Sequence, residues 1–365
     1  MPRRFSRRSL VAAAVVLAVA AAAAGISSAG EPEPAVPQNA YIVHNLVSDV
    51  AGTADQTDLN LVNAWGLAAL PTSPWWVADN GTSVSTIYTA NGSPQPLVVS
   101  VPSKPTGVVA NSTLGFPVAI GSTSGPALFI FDTEEGKILG WNPNVALTQA
   151  IVVHRSRDGA IYKGLAMGST ATGTFLYAAD FHNGKIDVFD TRFRQVTIPG
   201  AFADPGIPQR YAPFNIQNIG GELFVSYAKR DPLGEDEVAG PGLGFVDEYD
   251  TGGRLLMRVG SHDLLNAPWG LALAPVNFGR FGSDLLVGNF GDGRIIAYAP
   301  KPDGTFAREG VLRQPDGKPV EVDGLWALQF GLGHRKNGPT DTLFFTAGPD
   351  DEGHGLFGTI RAGTS

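Results

Sequence analysis

The stretch NAPWGLALAP, Asn266–Pro275, repeats an upstream segment, NAWGLAALP at Asn63–Pro71. Four further segments align with this pair: KPTGVV (Lys104–Val109), IYKGLA (Ile161–Ala166), APFNIQ (Ala212–Gln217) and GLWALQ (Gly324–Gln329). The matching position carries Gly66, Gly107, Gly164, Asn215, Gly270 and Ala327, at spacings of 41, 57, 51, 55 and 57 residues. Small residues recurring at that interval fit one small antiparallel sheet used six times, with loops of variable length.

Each unit continues in the same order. A second apolar strand follows, as in WWVAD (Trp75–Asp79), FLYAAD (Phe175–Asp180) and DLLVGNF (Asp284–Phe290). A third strand then ends on an aromatic, such as Tyr88, Trp141, Phe189, Tyr249 or Tyr298. In four units the turn between these strands holds Asn80-Gly81, Glu135-Gly136, Asn183-Gly184 or Asp292-Gly293, pairs that tolerate the positive φ of tight hairpins. Most units add a fourth strand, for example PLVVSV at Pro96–Val101, but the sixth stops after its third, GLFGTI at Gly355–Ile360. The spare strand YIVHNLV (Tyr41–Val47) precedes the first unit and supplies the missing one. The pattern predicts an all-β, six-bladed β-propeller over residues 41–365, its ring closed by an N-terminal strand that completes the last blade. Gly or Ala at the repeated position lets the crowded inner strands converge on the central channel.

Ahead of the ring, residues 1–29 show a basic head, an apolar run from Leu10 to Ala24 and a small-residue exit at Ser27-Ser28-Ala29, the layout of a cleaved signal peptide. SRRSLV at Ser6–Val11 suits a twin-arginine address, with the Sec route as the alternative. Residues 30–40, including EPEPAVP, read as an extended linker. The expected location is therefore extracytoplasmic, secreted or periplasmic. Removing the leader, with its four arginines, takes the net charge from −8 to −12, which disfavours nucleic acid and anionic lipid. The chain has no cysteine, so thiol chemistry is excluded.

With six blades laid out, the chain resembles NHL-like propellers, and more narrowly an uncharacterised bacterial family of exported propellers, some with a PEP-CTERM sorting tail. The stretches that carry the resemblance are DLNLVNAWGLA (Asp58–Ala68), FVSYAKRD (Phe224–Asp231), LNAPWGLALAPVNFG (Leu265–Gly279), LLVGNFGDG (Leu285–Gly293) and FTAGPDDEGHGLFG (Phe345–Gly358). No apolar tail follows TIRAGTS, so no membrane attachment is expected once the leader is cleaved. The resemblance implies the fold and brings no established activity.

In a propeller, the start of each inner strand and the turn after each second strand meet at one mouth of the channel. This places Trp65, Trp269 and Trp326 as an aromatic arc, facing Asp79, Asn289 and His354. Rings beside convergent polar groups suit a ligand site. Lys163 and Phe214 occupy the places equivalent to the tryptophans in blades three and four. Two acidic loops, Tyr227–Phe245 and Ala347–Phe357, offer Glu235, Asp236, Asp350 and Asp351 as oxygen ligands for Ca²⁺ or Mg²⁺, with solvated acidic loops as the plainer reading. No His-Glu-x-x-His, nucleophile elbow or phosphate loop occurs, and no catalytic residue is assigned. The leading expectation is an exported binding propeller for a small molecule, glycan or extracellular protein loop. Its alternatives are a divalent-metal-dependent hydrolase or lyase of lactonase type and a structural extracellular protein.

Overall fold

The chain enters its inner strands through a sharp corner. The residue before the strand is left-handed in four blades, at Asn63 (φ 48°), Lys104 (φ 56°), Ala267 (φ 45°) and Gly324 (φ 61°). The computed structural model describes residues 38–363, so the leader (1–29) and most of the linker (30–40) lie outside the described residues. From each corner an antiparallel sheet runs outward in chain order. Blade one comprises Ala64–Ala68, Trp75–Asp79, Val84–Tyr88 and Val99–Ser100. The six inner strands, Ala64–Ala68, Pro105–Ala110, Tyr162–Thr170, Tyr211–Ile219, Pro268–Leu273 and Leu325–Phe330, pack each against the next in a closed cycle. That cycle is the six-bladed propeller the repeat predicts.

The repeated small residue has a direct steric cause. A Cβ on Gly66 would sit 2.5 Å from the Thr106 carbonyl of blade two, and one on Gly270 would sit 2.6 Å from the Trp326 carbonyl of blade six. Inner strands could not approach this closely with larger residues there. Between blades the faces are apolar, as where Trp76 stacks on Phe129 at 4.2 Å and meets Trp141 at 4.5 Å.

Ring closure follows the expected route. Tyr41–Ser48 pairs antiparallel with Leu356–Ala362, in register from Tyr41 opposite Ala362 to Ser48 opposite Leu356. Tyr41 is fully buried between Phe278 and Phe281, and its hydroxyl bonds the Phe278 carbonyl and the Phe281 N–H, each at 3.1 Å. Burying one such ring contributes roughly 1.5–3 kcal/mol, which fastens the last blade to its neighbour. A two-residue strand, Gln56–Thr57, adds in parallel at Val47 and Ser48 and covers that end of the outer edge. The repeat did not foretell one addition, a hairpin of Pro117–Ile120 and Thr123–Pro126 set between the first and second strands of blade two.

Candidate functional site

The aromatic residues at the head of the inner strands do not line an open mouth. Trp65 stacks on Trp326 with ring centroids 3.6 Å apart, and Trp269 stands edge-on to both, at 6.3 and 5.8 Å. Phe290 stacks on Trp326 at 4.1 Å, and Phe214 reaches it from blade four at 5.8 Å. The Trp269 N–H donates to the Lys163 carbonyl of blade three at 2.8 Å, and the Trp326 N–H donates to Asn63 Oδ1 at 3.0 Å. The three indoles are 1%, 4% and 0% exposed. They plug the channel, and this corrects the expected arc: the faces meant for a ligand are spent on one another because residues from several blades converge on one axis. Beneath the plug the throat measures about 10 Å³, room for no more than about one water.

A charged cluster adjoins the plug. Lys163 Nζ lies 5.1 Å from the centroid of the Trp65 ring and is 2.7 Å from Glu134 Oε1 and 3.2 Å from Asp236 Oδ1. Glu134 Oε2 accepts from Asn80 Nδ2 at 3.1 Å and stands 3.9 Å from Lys104 Nζ. Glu352 accepts from Asn63 Nδ2. Glu237, beside Asp236 on the long blade-four loop, feels the charges of Lys163, Glu352 and Asp236. Blades one, two, three, four and six thus each supply a side chain to one place.

The cluster's proton affinities diverge. Burial pushes the Glu237 carboxyl up to about 7, with Lys163 only partly offsetting it. Burial also raises Glu352. Burial works most strongly on the Glu134 carboxylate too, but Lys163 together with Asn80 and Lys104 outweighs it and holds Glu134 below the usual range. Burial works against the Lys163 ammonium, and Glu134 foremost among the acids drives its pKa upward. The loop that presents Glu352 is strained: Asp350, Asp351 and Glu352 are consecutive left-handed residues with φ of 59°, 49° and 64°. Such backbone is uncommon for residues other than glycine, costs free energy and concentrates at functional sites.

The other expected site residues divide by role. Asp79 is fully buried and accepts from the Thr86 N–H at 2.8 Å, inside blade one. Asn289, also fully buried, donates to the Leu264 carbonyl at 2.8 Å and accepts from the Asn266 N–H at 3.1 Å. Both are fasteners, as is Asp132 in the equivalent place, which accepts from Thr106 Oγ1 at 2.9 Å. Their bonds run within their own blades or to the segment leading into them, and Asp79 Oδ1 is left without a partner among the described residues. His354 lies on the rim, with Nδ1 2.8 Å from Asp49 Oδ2; that hydrogen bond raises its pKa. Glu235, Asp350 and Asp351 are exposed. Among the described residues no three His, Asp or Glu side chains are gathered to hold a metal. The Lys163 ammonium lies between Glu134 and Asp236. Sequence reasoning missed Glu134. In TEEG, Thr133–Gly136, the second glutamate and the glycine already account for the turn, and the extra acid was the available signal.

No protein-family model matches the chain. Two uncharacterised proteins of Acanthamoeba polyphaga mimivirus align over 332 residues each. One is 34% identical, covering 87% of this chain and 79% of the relative. The other is 32% identical, covering 87% and 85%. These relatives are viral, and the expected resemblance to bacterial exported propellers finds no support among them. Among solved structures, a Bacteroides thetaiotaomicron protein of unknown function matches with a TM-score of 0.56 at 10% identity, over 88% of this chain and 76% of that one. A glucose dehydrogenase matches at 0.52 and 14%, over 89% and 100%. A streptogramin B lyase matches at 0.50 and 11%, over 88% and 97%. At these identities the likeness is one of fold.

Proposed function

We propose that this chain, which belongs to the same family as the two mimivirus proteins, is an exported binding propeller that takes a small cationic ligand at the mouth around Lys163. The observation that carries this reading is the excess of acid there. Glu134 and Asp236 contact Lys163, Glu134 also stands near Lys104, and Glu237 and Glu352 lie within reach of the Lys163 charge with raised proton affinities, so four carboxyl groups gather about two ammonium groups. A buried lysine paired with partly exposed acids is a poor way to gain stability, and perturbed carboxyls gathered from several blades are a frequent mark of a binding site. An ammonium or guanidinium on a small molecule, an amino sugar or a protein loop would complete the charge balance.

The test is calorimetric titration with spermidine and with an arginine-containing peptide at pH 6 and pH 8. A cation is held by the ionised form of Glu237, so binding should tighten as pH rises through about 7 and weaken in Glu237→Gln. Binding that is absent, or that favours anions or low pH, refutes the reading. A second reading rests on the same carboxyl: at about 7 it can take or give a proton at neutral pH, as general acid–base catalysis in a hydrolase or lyase requires. Turnover of lactone or ester substrates that stops in Glu237→Gln, with and without added Ca²⁺ or Mg²⁺, would favour that reading and show whether a divalent ion takes part.

A further inference from the structure

The opposite end of the channel is built differently. There the inner strands open a cavity of about 220 Å³. Its wall on blades one to three is apolar: Ala68, Ala110 and Ala166, with Val108 and Leu165 deeper in. Its wall on blades four and six carries Gln217 and Gln329. Both glutamines are half-buried, whereas the adjacent Asn218 spends its amide on the Met167 carbonyl at 2.9 Å and the Gly221 N–H at 3.1 Å. The cavity narrows into the 10 Å³ throat, which shares Val108, Leu165, Gln217 and Gln329 with it and reaches Trp269 and Asn215. It is therefore a blind pocket.

Water fills such a pocket poorly. At roughly 30 Å³ each, about seven waters would occupy it, and those against the alanine wall would find no side-chain hydrogen-bond partner there. An apolar body displaces weakly held water favourably, and each carboxamide offers both a donor and an acceptor. We infer that this end of the channel is a second binding site, separate from the charged mouth, for a small, flat, uncharged molecule with an apolar ring and one amide edge. The ring lies against the alanine wall and the edge meets Gln217 and Gln329.

Benzamide is the probe, with toluene as its apolar match and benzoate as its charged match, followed by the methyl signals of Met167 and Ala166 in NMR titrations. Benzamide should saturate these signals, and benzoate should not. Gln217→Leu and Gln329→Leu should each weaken benzamide about tenfold while leaving toluene unchanged. Ala110→Phe, at the partly exposed rim, should abolish both, and Lys163→Met should abolish neither. Absence of saturation overturns the proposal. So does equal binding of benzoate, or indifference of benzamide to both glutamine variants whose far-UV circular dichroism matches the parent.

Discussion

Replacing Lys163 with methionine keeps the length of the side chain and removes its charge, so the stability change isolates the electrostatics of the cluster. Lys163 is 1% exposed and Glu134, its closest partner, has a side chain 19% exposed. Removing one member of a buried pair costs about 3–5 kcal/mol. The lower end applies here, because Glu134 keeps Asn80 and Lys104, and Asp236 is 74% exposed and can turn to water. A loss of ~3 kcal/mol at pH 8 corresponds to a fall in Tm of roughly 4 °C for a domain of this size. The pH dependence has a definite sign. Glu134 is held below the usual range by Lys163, so its stabilisation is present above the unfolded-state pKa and is lost as pH falls through the folded-state value. Glu237, raised to about 7, behaves oppositely: its contribution is full below the unfolded-state pKa and is lost as pH rises to about 7. Without Lys163 the Glu134, Glu237 and Glu352 carboxyls shift upward. The deficit of the variant should therefore be widest at pH 8 and narrow by pH 5. Urea unfolding followed by tryptophan fluorescence at the two pH values measures it, and adding Glu134→Gln should recover at least half of the loss at pH 8. Equal deficits at both pH values, or no recovery in the double variant, would assign the loss to packing and refute the charge argument.

Two further outcomes are expected. A chain starting at Ser48 loses Tyr41 and most of the strand paired with Leu356–Ala362, so its calorimetric unfolding should broaden and lose cooperativity; an unchanged transition would show that the clasp does not hold the ring. Lysine at both Arg7 and Arg8 should stop secretion of the full chain if the leader is a twin-arginine address, and undiminished secretion would leave the Sec route.

The architecture was legible because its cause is local. Gly66 and Gly270 must be small where neighbouring carbonyls crowd them, so the same letters recur wherever an inner strand occurs. The extra strand at Tyr41–Val47 and the short sixth unit announced each other. The site was less legible because its members are gathered by the ring rather than by spacing. Glu134 and Lys163 are 29 residues apart and Lys163 and Asp236 are 73 apart, and no periodicity marks either pair. Whether Trp65, Trp269 and Trp326 face solvent or each other depends on how six strands close around an axis. Hydrophobic pattern is silent on that, and packing decided for the plug. The hairpin at Pro117–Pro126 hid for another reason: its PVAI and TSGP strands are short and mostly exposed, so they lack an apolar alternation.

The repeat itself supplies a control for the functional reading. The place before the repeated small residue is held in turn by Trp65, Thr106, Lys163, Phe214, Trp269 and Trp326. Four of these build the plug, and Thr106 lies within hydrogen-bond distance of Asp132 and of the Tyr162 carbonyl, at 2.9 and 2.8 Å. Five blades therefore fill the place without a charge, and closing the ring does not require one. A hydrocarbon at position 163 would serve packing at least as well, because a well-packed apolar group commonly matches or exceeds a buried ion pair in stability. Lysine there instead brings an ammonium beside the plug and draws Glu134 and Asp236 onto it from blades two and four. If those charges only repaired the cost of the lysine, two carboxylates would suffice. Glu237 and Glu352 stand beyond that pair, and Glu352 sits at the end of the left-handed turn Asp350–Glu352. The acids beyond that pair are the observation on which the proposed cationic ligand rests.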